Sequence, residues 1–173
     1  MRRAKGISIV ELILAIVVLG VVATLAIPRF SGAAQAPDES ALLRDRLQVL
    51  RVAIERYYQD HGAFPGQYGD GRAPRSTAEA FRSQLTQFTD EIGRVAESRD
   101  ASHRFGPYLR DGVPVCPVAG DGHLGGVHVI SGADLPAFTA EAPDAGWVYN
   151  CETGQIGPNA AGTDSAGRSY AGY

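Results

Sequence analysis

One carboxylate, that of Glu11, lies near the start of an apolar run that carries no charge from Leu12 to Ile27. Extended back to Ile7, the run has 21 residues, and as a helix it would be about 30 Å long, the thickness of the hydrocarbon core of a bilayer. An unpaired carboxylate in hydrocarbon is costly and is by default a functional residue. We therefore expect Glu11 to pair with a positive charge that another group supplies. The alternative is that its side chain, only one turn into the run, extends back to the cytoplasmic headgroups.

The cations around the run predict its orientation in a membrane. Arg2, Arg3 and Lys5 precede it, and no other cation follows until Arg29. Positive charges favour the cytoplasmic side, so the N-terminus is expected in the cytoplasm and the rest of the chain outside it.

Two common kinds of membrane-targeting segment fit this orientation. A secretory signal peptide could end at the small residues Ala34-Gln35-Ala36, although Pro37 follows them directly. A plain single-pass anchor explains the length of the run. Neither a signal peptide nor a plain anchor explains the presence of Glu11 in the apolar run.

A third interpretation explains the residue order of "RRAKG|ISIVE". This stretch resembles the processing signal of type IV pilins and type II secretion pseudopilins. In that family a short basic leader ends in glycine, and a membrane-embedded prepilin peptidase cuts after it and methylates the new N-terminal residue. The match is Gly6 as the leader glycine, Ile7 as the methylated residue and Glu11 at the fifth mature position. The family's helix-breaking glycine and proline correspond to Gly20 and Pro28.

The resemblance implies a division of the chain and a role for Glu11. Residues 1–6 would be the leader peptide, 7–30 the transmembrane and filament-core segment, and 31–173 a globular domain in the periplasm or outside the cell. Cleavage exposes a positive amine at Ile7, which Glu11 of a neighbouring subunit would neutralise.

The resemblance also implies a location and partners. The chain would be a single-pass bacterial inner-membrane protein that is assembled into a filament as a pilin or pseudopilin. Its partners would be other pilin or pseudopilin subunits, the prepilin peptidase, an inner-membrane platform protein and an assembly ATPase. The sequence does not separate a pilus from a secretion filament. The alternative is a secreted or membrane-anchored binding domain outside the cytoplasm.

The residues after Pro37 predict an amphipathic helix that ends near Gly62. Together with the resemblance, this predicts a pilin-like α+β fold. A long N-terminal spine helix, half membrane-spanning and half amphipathic, would pack on a small antiparallel C-terminal sheet. The apolar stripe of the amphipathic half consists of Leu43, Leu47, Leu50, Ile54 and Tyr57.

Further elements are predicted from local signals. Ser76, with Glu79 three residues on, is a capping box that predicts a second helix from Thr77 to about Glu91. Strands are expected at "VHVIS", "GWVYN" and "GQIG", with Trp147 and Tyr149 on the same face of the second strand. Gly154 is expected in the turn of a closing hairpin. The residues from Gly157 onward are low in apolar side chains and are expected to be mobile.

The two cysteines, Cys116 and Cys151, are expected outside the cytoplasm, where disulfides persist. We expect them to be bridged, and the family resemblance agrees. A zinc site that combines them with His123 and His128 matches no trusted ligand spacing. Major pseudopilins hold calcium in a C-terminal loop, for which Asp164 and Ser165 are weak candidates; otherwise no cofactor is expected.

Charge and motifs argue against two other classes of protein. The net charge is −3, and the arginines are scattered without interleaved aromatic residues, so nucleic acid is not expected as the main partner. "GDGHLG" matches a dinucleotide fingerprint in letters only, since it neither follows a strong strand nor opens a helix. No nucleophile and base are paired in the sequence, so an enzyme is not expected.

Overall fold

A computed structural model describes residues 9–10, 12–17, 39–68, 76–120, 124–134, 138–139 and 141–173 of the chain. The chain divides into two compact units, Met1–Asp38 and Glu39–Tyr173.

In the first unit, the described residues 9–10 and 12–17 are helical. Their apolar side chains are exposed, from 55% for Leu12 to 76% for Ile9. No helix within the described residues is both long and apolar enough to cross a membrane. The predicted processing and assembly residues lie outside the described part of the chain: Gly6, Ile7, Glu11, Gly20 and Pro28.

Helix α1 (Glu39–His61) is the predicted amphipathic helix and opens the second unit. Its predicted apolar stripe is confirmed, since all five side chains are at most 3% exposed. Gly62 ends the helix as predicted. It has a φ of +67°, and its N–H donates to the carbonyl of Tyr58 at 2.8 Å. A left-handed residue after the last turn closes a helix in this way, and glycine adopts it without strain.

Helix α2 (Ala78–Thr86) is shorter than predicted, and the predicted capping box is wrong. Thr77 is the N-cap, and its hydroxyl accepts from the Ala80 N–H at 3.2 Å. The Ser76 hydroxyl lies instead 3.3 Å from the sulfur of Cys151. The helix stops before Glu91 because Phe88 and Thr89 pair as a strand.

That strand, β1 (Phe88–Thr89), forms a small antiparallel ribbon with β2 (Val95–Ala96). The turn between them begins at Asp90 and has Gly93 at a φ of +81°. The ribbon was not predicted, since two-residue strands leave no periodic pattern in the sequence.

The main sheet has three strands in the order β3 (Gly126–Ile130), β4 (Ala145–Asn150) and β5 (Ile156–Pro158). The predicted strands exist, but the antiparallel prediction is wrong for one pair. β3 and β4 are parallel, and β4 and β5 are antiparallel, so the sheet is mixed. The connection 131–144 is long enough for the crossover that a parallel pair requires.

Two buried asparagines hold this connection. The Asn150 amide donates to the carbonyls of Gly132 and Asp134 at 2.8 and 2.7 Å. The Asn159 amide donates to the carbonyls of Ala142 and Ala145, both at 2.9 Å. Buried backbone carbonyls need such partners, so the two side chains replace secondary structure in this segment.

Strand β4 is the centre of the core, and all six of its residues are buried. Trp147 and Tyr149 lie on the same face of the strand, as predicted from the period of two. The Tyr149 ring lies 4.4 Å from that of Phe81 on α2. The Trp147 indole N–H donates to the carbonyl of Pro114 at 2.7 Å.

The closing hairpin is confirmed, with Gly154 at a φ of +72° in the turn between β4 and β5. The turn packs against Phe64, just beyond the end of α1. The expectation of a mobile tail after Gly157 is wrong. A short 3-10 helix forms at Tyr170–Gly172, and Tyr170 and Tyr173 pack against the core.

Candidate assembly surfaces of the globular unit

The outward face of α1 carries an exposed apolar strip. Val49 is 53% exposed and Val52 is 38% exposed. Arg56 lies one turn beyond Val52 on the same face, is exposed, and forms no ion pair with the described residues. We call Val49, Val52 and Arg56 the Val49–Arg56 strip.

The tail and α1 form a groove in which three arginines contact Tyr173, two at its ring and one at its backbone oxygen. The guanidinium carbons of Arg44 and Arg168 lie 5.4 and 5.3 Å from the centre of that ring, within the range of a cation–π contact. Arg51 donates to the backbone oxygen of Tyr173 and, at 3.4 Å, to that of Ile156. The groove has a volume of about 670 Å³. These contacts hold the tail on the helix.

Asp164, a weak calcium candidate, is the anchor of the tail. Its carboxylate accepts from the Tyr173 hydroxyl at 2.5 Å, from the backbone N–H groups of Ala166 and Arg168 at 2.8 Å, and from the Arg168 guanidinium. The hydrogen bond from Tyr173 and the bonds from Arg168 hold the pKa of Asp164 far below its ordinary value. Its oxygens are therefore taken by donors.

The second calcium candidate, Ser165, is exposed. The described residues contain no group of three or more His, Cys, Asp or Glu side chains that could hold a metal ion.

The turn at Asp164 repeats the turn at Asp90. In each, the aspartate accepts from the N–H groups two and four residues on, and its second oxygen accepts from an arginine side chain. Both segments read D-x-x-G-R in the sequence, as "DEIGR" and "DSAGR". Sequence reasoning missed both turns, and this repeated pattern could have found them.

The predicted disulfide between Cys116 and Cys151 is wrong, since both thiols are free and buried. The Cβ of Cys116 lies beside Gly146, at the start of β4, and Cys151 directly follows the other end of that strand. The five residues from 146 to 151 span about 16 Å in an extended strand, whereas a bridge needs Cα atoms within about 7 Å.

His61, the last residue of α1, lies in an aromatic cluster. Its ring centre is 4.1 Å from that of Tyr57 and 5.2 Å from that of Phe105. Its Nε2 is 2.9 Å from the Thr89 hydroxyl, and its Nδ1 is buried without a hydrogen-bond partner among the described residues. Burial lowers the pKa of His61 from its ordinary value, although the nearby Asp60 and Asp90 carboxylates oppose this.

A further exposed surface lies in the connection between β3 and β4. Phe138 is 49% exposed and lines a shallow cavity of about 390 Å³ together with small and apolar residues. Glu141 and Asp144 follow shortly after Phe138 in the sequence, and both are exposed. Neither carboxylate forms an ion pair with a described residue. We call Phe138, Glu141, Asp144 and the cavity the Phe138 surface. The cavity is lined by Val118, Ala119, Gly120, Leu124, Phe138, Thr139, Pro143, Asn159, Ala160 and Ala161.

Comparison with curated proteins finds a partial similarity. The chain is 32% identical over 65 residues to the type II secretion system core protein G of Klebsiella pneumoniae. The matched segment is 38% of this chain and 46% of the relative, so the chain spans just under half the length of the relative. No family model matches the chain, and no solved structure matches it.

This similarity agrees with the resemblance of the N-terminal motif, because both lead to type II secretion. The name of the relative describes it as a core protein of a secretion system.

Proposed function

We propose that this chain is a structural subunit, a pilin or pseudopilin, of a type II secretion or type IV pilus-like filament. It is made with the leader 1–6, cut after Gly6 by a prepilin peptidase, and methylated at Ile7. It is then held in the inner membrane by residues 7–30, with the globular domain in the periplasm. Subunits are assembled there with the platform protein and the ATPase.

The N-terminal motif carries the proposal, and the partial similarity to core protein G supports it. The exposed apolar helix of residues 9–10 and 12–17 also supports it. Side chains such as Ile9 and Leu14 are 76% and 64% exposed, and large apolar side chains exposed to this extent along one segment require lipid or another protein to cover them. A filament core formed by the same segment of neighbouring copies would cover it.

Within this proposal, Glu11 sets the register between subunits. A charge transferred into hydrocarbon is costly alone and far less so when paired. The amine that cleavage creates at Ile7 is one partner, and Glu11 of the neighbouring copy is the other. The pair forms only when two subunits are correctly aligned, so it selects one alignment as a subunit leaves the bilayer.

The test is Glu11→Gln in the full chain, which keeps the side-chain shape and removes the charge. We expect Gly6 cleavage to continue and the yield of sheared filaments to fall at least about tenfold, since the loss of one partner of a buried pair costs well over 1.4 kcal/mol. Glu39→Gln, at the exposed start of α1, is the matched control and should assemble normally.

Two outcomes would contradict the proposal. Wild-type yields from Glu11→Gln would remove the assembly role of the carboxylate. A mature chain that begins at Pro37, or an uncut chain, would favour a secreted or membrane-anchored binding domain instead.

A further inference from the structure

Large apolar side chains stay exposed at only two places in the described part of residues 39–173. Val49, Val52 and Tyr58 lie on α1, and Phe138 lies in the connection before β4. Tyr58 already stacks on Phe64, with ring centres 4.4 Å apart. Val49, Val52 and Phe138 therefore remain to be covered by something outside the globular unit.

The charges beside these two places are opposite. The Val49–Arg56 strip ends in Arg56, which has no ion-pair partner among the described residues. The Phe138 surface carries the carboxylates of Glu141 and Asp144, which likewise form no ion pair within the described part of the chain. The sequence extends this asymmetry, because residues 111 to 167 contain no lysine or arginine and seven carboxylates. Both surfaces thus present apolar area, and the charges beside the two apolar areas have opposite signs.

We propose that the Val49–Arg56 strip of one copy docks on the Phe138 surface of the next copy. Val49 and Val52 cover Phe138 and its cavity, and Arg56 pairs with Glu141 or Asp144. Asp45 lies one turn before Val49 and would repel those carboxylates, so they face the Arg56 end of the strip. This inference rests on the proposed function, and it names the surfaces through which the globular units meet.

The two surfaces are different parts of the same chain, so the contact is heterologous. In any open complex, a contact of this type leaves one unused copy of each surface, one at each end. It therefore continues from copy to copy, giving a ring if the rotation closes and an open helical filament if it does not. A second copy is favoured over an unrelated partner, because this chain itself supplies the complementary charge and apolar area.

Cross-linking of the full chain in the bacterial membrane tests the contact directly. The double variant Val49→Cys and Phe138→Cys, oxidised in cells that express the prepilin peptidase, should give a ladder of dimers and higher oligomers on a non-reducing gel. Each single variant should give at most a trace of dimer. The native Cys116 and Cys151 are buried, so the wild-type chain controls for their oxidation.

Charge reversal tests the polar edge without disturbing the fold, because the residues involved are exposed. Arg56→Glu should lower filament yield about tenfold, a change worth about 1.4 kcal/mol per contact. Glu141→Arg with Asp144→Arg should do the same. The combination of all three reversals should restore the yield to within about twofold of wild type, since attraction replaces repulsion. Arg82→Glu, on the exposed face of α2, is the matched control and should have no effect.

The outcomes separate this inference from the proposed function. If the mature chain begins at methylated Ile7 and filaments form, but the cysteine ladder is absent or the combined reversal fails to rescue, the docking inference is wrong and the function stands. If the chain is not cut after Gly6 and no filaments form, the proposed function fails. A cysteine ladder in that second case would still support the contact, and its absence would overturn it.

Discussion

Replacement of Gly154 by alanine should loosen the closing hairpin from the end of α1. Two costs add at this position. The φ of +72° is a left-handed conformation, which costs a residue with a Cβ about 1–2 kcal/mol. The new Cβ would also lie 2.6 Å from Cδ1 of Phe64 and closer still to Cε1. Overpacking of this kind costs about 1–3 kcal/mol.

Gly112→Ala is the matched control, because Gly112 has a φ of +80° and a Cβ added there would have no atom within 4 Å. It should show the cost of backbone strain alone. We expect the Tm of the detergent-solubilised chain, followed by far-UV circular dichroism, to fall by about 10 °C for Gly154→Ala and by about 4 °C for Gly112→Ala.

The difference between the two variants measures the contact with Phe64. In a Phe64→Ala background the ring is gone, so Gly154→Ala should cost no more there than Gly112→Ala does. Equal losses of Tm for Gly154→Ala and Gly112→Ala in the wild-type background would refute the reasoning, because the hairpin turn would then have room for a methyl group.

The buried groups lead to three further predictions. Burial lowers the pKa of His61, so as the pH falls the unfolded state is protonated at a higher pH than the folded state. The free energy of unfolding should therefore decrease as the pH drops through and below 6.5. In urea titrations, His61→Gln should make the free energy of unfolding less dependent on pH between 7 and 5. The only tryptophan, Trp147, is fully buried, so its fluorescence should be blue-shifted and protected from iodide until the chain unfolds, and an exposed spectrum in the native state would contradict the fold. Both Cys116 and Cys151 should react with a thiol reagent only after denaturation, and dithiothreitol should leave the Tm unchanged; a denatured chain with no reactive thiol would show that a bridge forms.

The sequence was most informative where one physical pattern dominates a long segment. The period of 3.6 residues predicted the stripe of α1, and the period of two predicted the shared face of Trp147 and Tyr149. Gly62 was predicted at the end of α1 and Gly154 in the turn of the closing hairpin, because left-handed backbone positions favour glycine.

Predictions failed where the partner of a residue is distant in the sequence. The direction of β3 relative to β4 depends on the path of residues 131–144, which Asn150 and Asn159 fix through side-chain hydrogen bonds. The disulfide was predicted from the number of cysteines and their compartment, and neither says that Cys116 and Cys151 lie at opposite ends of one strand. The tail was judged by its composition, which does not show that Arg44 and Arg51 on the distant helix α1 contact Tyr173.

The central claim concerns the first residue of the mature chain. The most direct measurement is intact and N-terminal peptide mass spectrometry of the protein extracted from membranes of cells that have a prepilin peptidase. The account predicts a chain that begins at Ile7 and carries one added methyl group. A chain that begins at Met1 or Pro37 would contradict it, because no amine would then be available at Ile7 to pair with Glu11.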